Sequence, residues 1–152
     1  MELHDQHVLE WMLKAVPGGV MKYLHPVWRD PNNCVLRAVH QVTGLYPITI
    51  YQICKEVGGR EHGKGMTVGK MWLAFEAAAE LTGMRLEYIA GQQAKREYGK
   101  TLLTAERELV AHERVVFEVK GHVIGFHSNA SNDSAQGRRQ RIRAAYRFKE
   151  AA

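Results

Sequence analysis

The sequence predicts an α+β domain in which helices come first and an antiparallel sheet follows. Three observations carry that prediction. Up to Gly83 the apolar residues recur mostly at helical spacing, and from Met84 onward the patterned segments are mostly strand-like, with 141–149 alternating residue by residue. The composition is that of a chain able to bury one core: 152 residues, 45% of them hydrophobic and 24% charged.

The first segment, "QHVLEWMLKAV" (6–16), carries Val8, Trp11, Met12 and Val16 on one helical face and is stopped by "PGG". Residues 20–31 hold Pro26 and Pro31 and read as irregular. In "DPNNCVLRAVHQVTG" (30–44) the next helix begins near Asn33 or Cys34. It turns Val35, Ala38, Val39 and Val42 inward, and Gly44 stands where a C-cap glycine belongs. Pro47 opens another helix, with Ile50, Ile53, Cys54 and Val57 as its apolar side, closed by Gly58 and Gly59. "GREHGKGMT" (59–67) is a polar glycine-rich loop expected to border a cleft. Thr67 caps a third helix with Val68, Met71, Trp72, Phe75 and Ala79 inward and Gly83 just past its end.

"MRLEYIA" (84–90) reads as a strand, and the polar stretch 91–113 as containing one short helix around 104–111. "RVVFEVKGHVIGFH" (114–127) gives two strands or one strand bent at Gly121. In "RIRAAYRFK" (141–149), Ile142, Ala144, Tyr146 and Phe148 share one face; Arg141, Arg143, Arg147 and Lys149 share the other, which reads as solvated.

Several function classes are disfavoured. No apolar run approaches the length of a membrane span. "MELHDQHVLEWMLKAV" has neither the basic start nor the uninterrupted apolar core of a secretory signal, so the two cysteines, Cys34 and Cys54, are expected as reduced thiols in a cytoplasmic setting. His4 and His7 lie one helical turn apart but no third ligand of the usual kind follows. "REHGKG" lacks the spacing of a phosphate-cradling loop. The formal net charge of +5 favours acidic partners weakly, because the excess lies near the C-terminus. There "GRRQRIR", with Arg138, Arg139, Arg141 and Arg143, is the best nucleic-acid signal in the chain; no aromatics are interleaved on the same face to stack bases.

Cys34 is the residue with chemistry to offer. A thiol is a weak nucleophile until it ionises, and both a helix N-terminus and a nearby imidazolium favour the thiolate. Cys34 has the first by position, with Asn32 or Asn33 as the cap. His122, which follows Gly121 at a strand start, is the best placed base; His127, an odd number of residues beyond, falls on the opposite face of a straight strand. Asp133, beyond the turn "SNASND", can return beside His122 to orient it. Asn33 and the Cys34 backbone N–H can hold a developing oxyanion. Cys54, on the apolar side of its helix, reads as a core residue.

The order of a helix-borne cysteine, further helices, a Gly-His strand and an acidic residue on the next turn resembles that of papain-like cysteine peptidases. "NNCVLRAVHQVTG" is similar to the Asn-Asn/Asp-Cys-x-x-Arg-Ala segment of small peptidase-like proteins common in phage and bacterial genomes, which also resemble the bacteriocin-leader peptidase domains of transporters. "GKGMTVGKMWLAF", "VVFEVKGHVIGF", "NDS" and "RRQRIRAAYRF" continue the likeness over roughly residues 30–149. The resemblance implies a papain-like α+β domain over 26–152 behind an N-terminal helical extension over 1–25. It implies Cys34 as nucleophile, His122 as base and Asp133 as orienting residue, with Asn129 and Asn132 as rivals for the third role. The glutamine that papain-like enzymes place before the cysteine is absent from "PVWRDPNN", which leaves the oxyanion to Asn33 or Asn32. The implied activity is cysteine-dependent hydrolysis of a protein or peptide substrate, with no metal or organic cofactor. The competing expectation is an inactive binding protein on the same fold, engaging a host protein or nucleic acid through the basic strand.

Overall fold

The computed structural model describes residues 33–61, 64–110, 112–128, 130–131 and 139–150. The expected helix over 6–16, the irregular stretch up to Pro31 and the proposed extension over 1–25 lie outside them. Helix α1, Cys34–Thr43, buries Val35, Leu36, Ala38, Val39 and Val42 and ends on Gly44 in the left-handed conformation. Helix α2, Pro47–Glu56, opens on its proline and buries Ile50, Ile53 and Cys54. Helix α3, Val68–Leu81, is capped by the Thr67 hydroxyl, which accepts from the Lys70 N–H. Two residues expected inward are exposed, Val57 and Val68; each stands at a helix end, Val57 just past the last residue of α2 and Val68 as the first of α3.

Helices do not all precede the sheet. Strand β1, Met84–Ala90, is followed by α4, Gly91–Tyr98, and α5, Leu102–Glu108, where the sequence predicts one helix over 104–111. These two helices are short and polar. Each buries only a pair of residues, Ala94 and Tyr98 in α4 and Leu102 and Ala105 in α5, too few to print a clear period. A capping box between Thr101 and Thr104 starts α5. The expected bend at Gly121 is a full turn: β2, Arg114–Val119, and β3, His122–His127, form an antiparallel hairpin. A two-residue β4, Ala130–Ser131, pairs with the end of β3, and β5 runs Ala144–Glu150.

The sheet is antiparallel throughout, in the order β1-β5-β2-β3-β4. Strand β5 therefore lies in the interior, and both of its faces are covered. On one side α1, α2 and α3 pack over Val116, Val123, Tyr146 and Phe148. On the other, α4 and α5 bury Phe117, Ile124, Phe126 and Ala145. This overturns part of the expected solvated arginine face. Arg141 and Arg143 are exposed, but the Arg147 side chain is only 16% exposed and meets the carboxylates of Glu87, Glu97 and Glu113.

Candidate functional site

The site is built where the start of α1 meets the start of β3. Two backbones touch at Gly125: a Cβ there would lie 2.6 Å from the carbonyl oxygen and 3.0 Å from the Cα of Ala38. Only a glycine on the strand permits that approach. At the C-terminal end of α1, the Arg114 guanidinium donates to the Val42 carbonyl at 2.8 Å, which ties the helix C-terminus to β2. The helix is thus held at its middle and at its C-terminus, and its first residue falls beside the first residues of β3.

Cys34 is that first residue. Asn33 is the N-cap: its carbonyl accepts from the Arg37 N–H at 3.0 Å, but its side chain makes no capping bond. No acidic residue lies in the first turn of α1 to neutralise the positive end of the helix. His122 opens β3 directly after Gly121, whose φ of 69° is natural for glycine in the tight turn. The half-buried Cys34 thiol is hydrogen-bonded to the His122 side chain and to the main chain of Val123 and Val35. Burial pushes the thiol pKa up. The imidazole bond, the Val123 main chain, the charge on His122 and the Val35 main chain outweigh it, so the net value is lowered. Interactions that favour the thiolate in this way come from donors, which means the two main-chain partners offer their N–H groups.

The pair lines a cleft of about 290 Å³. Gly65 and Met66 of the glycine-rich loop form part of its rim, and Glu118 and Arg143 come from the sheet side. Glu118 escaped the sequence reading. Its carboxylate accepts from the Tyr146 O–H at 3.0 Å, and Tyr146 itself is fully buried. Burial first, then the Glu118 carboxylate, push the tyrosine pKa up and keep the phenol protonated as a donor. A charged residue in the apolar run "VVFEV", at an inward position by alternation, was the available signal.

Of the other expected residues, Asp133, Asn129, Asn132, Asn32 and Arg138 lie outside the described residues. His127 stands at the far end of β3, opposite Arg114. Burial, Arg114 and His112 hold its pKa below the ordinary value, and it is not among the residues of the cleft. Cys54 is buried in the core between α2 and its neighbours, as expected. Arg139, Arg141 and Arg143 are exposed, and Arg143 lines both the Cys34 cleft and a second, larger groove beside it. Chemically, a thiol biased toward ionisation and bonded to an imidazole is a nucleophile with its base at hand. No family model, no curated protein and no solved structure matches the chain.

Proposed function

We propose that this protein is a thiol-dependent hydrolase of papain-like architecture, a cysteine peptidase or isopeptidase. The observation that carries the reading is the hydrogen bond between His122 and a Cys34 thiol held below its ordinary pKa at a helix N-terminus. In the mechanism His122 takes the Cys34 proton and the thiolate attacks the scissile carbonyl. The Cys34 N–H and the Asn33 side chain hold the oxyanion. His122 then protonates the departing amine, and the acyl group remains on sulfur. Water attacks that thioester, with His122 as its base, and releases the acid and the free thiol. Asp133 is the residue that the family resemblance assigns to orienting His122. The mechanism draws on no metal or organic cofactor, and the substrate is a protein or peptide met in the cytoplasm, including that of a host cell.

The test is the pH dependence of alkylation by iodoacetamide, read by mass spectrometry. Cys34 is expected to label rapidly well below the value of about 8.5 for a free thiol, while buried Cys54 stays slow. His122→Ala should return Cys34 to ordinary behaviour. A Cys34 that labels like a free thiol in both proteins removes the chemical basis of the proposal. The exposed Arg139, Arg141 and Arg143 favour one other reading, a catalytically inactive binding protein that engages a host protein or nucleic acid. That protein would need no reactive Cys34, and its binding to nucleic acid would weaken steeply with salt.

A further inference from the structure

Beside the Cys34 cleft lies a groove of about 750 Å³. Lys95 of α4, Lys120 of the β2–β3 turn, and Arg141 and Arg143 of the segment entering β5 all line it, together with Gln92 and Gln140. No acidic residue is among those that line it, and none of its four cationic side chains has an acidic partner among the described residues. Arg147, only a few residues along the same segment, shows the contrast, since three carboxylates surround it. Four like charges gathered in a concave surface repel one another and focus a positive potential into it. Helix α4 also starts at the groove on Ala90, which has no side-chain acceptor to cap the first N–H groups.

The groove adjoins the cleft at Arg143, which lines both. A chain lying in the groove therefore passes a residue of the Cys34 cleft. No aromatic residue is among those lining the groove, so nothing there offers bases a stacking surface. We propose that this groove is a specificity subsite for an acidic, Asp- or Glu-rich segment of the polypeptide whose scissile carbonyl is presented to Cys34. The proposal rests on the hydrolase reading and adds the substrate class to it.

The experiment uses the full chain. Fluorescence anisotropy on the Cys34→Ser protein follows binding of a labelled peptide of repeating Glu-Gly units, its Gln-Gly counterpart and an oligothymidine of similar length. The Glu peptide is expected to bind and the Gln peptide to fail. The Lys95→Gln/Arg141→Gln double variant should bind the Glu peptide about tenfold more weakly, which is what two exposed ion pairs within their usual range of strength amount to. An unchanged circular dichroism spectrum shows that this variant is folded, and Lys95→Arg/Arg141→Lys should retain binding. On the wild-type protein the Glu peptide, but not the Gln peptide, should protect Cys34 from iodoacetamide. Equal binding of the two peptides, or oligothymidine binding more tightly than the Glu peptide, overturns the subsite. A reactive Cys34 without Glu-selective binding refutes the subsite alone. Glu-selective binding beside an unreactive Cys34 refutes the hydrolase reading, and with it any role of the groove in presenting a scissile bond.

Discussion

A thiol whose pKa is lowered by folding makes stability depend on pH, and the sign follows from linkage. The folded state favours the thiolate, so the stabilisation is fully present above the unfolded thiol value and is lost as pH falls through the folded one. The difference in melting temperature between the wild type and Cys34→Ser should therefore rise from neutral pH toward about 9, and calorimetry across that range checks it. Tyr146→Phe makes a second residue-scale prediction. It strips the Glu118 carboxylate of its buried donor, and should cost about 1–2 kcal/mol in urea unfolding. Cys34, His122 and the apolar face of α1 were legible because each follows from local sequence: a polar helix start, a Gly-His step, a spacing. Glu118 was not, since what gives it meaning is Tyr146, distant in the chain and adjacent only across the β2–β5 pairing.

At the scale of elements, the contact of α1 with β3 decides whether the thiol and imidazole meet. Gly125→Val would drive its Cβ into the Ala38 backbone and lift the helix from the strand. We expect a loss of about 1–3 kcal/mol, the usual range for overpacking, together with slower alkylation of Cys34 at neutral pH. A control at the exposed Val110, Val110→Ala, which lies outside the cleft, should change neither. Chains that build the same pair in the same way should carry His-x-x-Gly on the strand that faces the cysteine helix. The three long helices and β1 could be read from caps and periodicity, with Thr67, Pro47 and Gly44 marking their ends. Helices α4 and α5 could not, because eight and seven residues that bury two side chains each leave almost no pattern.

For the whole molecule the informative fact is that the sheet has helices on both faces. Alternation in 141–149 implies one wet face, but the sheet order places β5 between β1 and β2, and the second layer of helices dries what alternation leaves outside. Arg147 is the polar link between that layer and the sheet. It pairs with Glu87 of β1, Glu97 of α4 and Glu113, and donates to the Tyr98 hydroxyl at 3.1 Å. Arg147→Met should cost about 2 kcal/mol, below the ~3–5 of a fully buried pair because Glu87 and Glu97 remain partly exposed. Hydrogen exchange should quicken in α4 before it does in α1. The Glu97 carboxylate is held below its usual range by the Gln93 amide and by Arg147, against the pull of desolvation. The stabilisation it contributes is present above the unfolded carboxylate value and lost in acid, so the gap between wild type and variant should narrow below about pH 4.

The same strand order also governs how the chain can be made. Among the described residues the only strand that β1 pairs with is β5, which joins Ala90 to Ala144 and Met84 to Glu150. As the polypeptide leaves the ribosome, β1 emerges before that partner, and both helices of the second layer and the whole β2–β3 hairpin must follow before β5 appears. Folding in instalments is closed to such a topology: closure of the sheet waits on β5 and is slowed by the length of chain to be looped. Until then an open strand edge is on offer to any other nascent chain nearby.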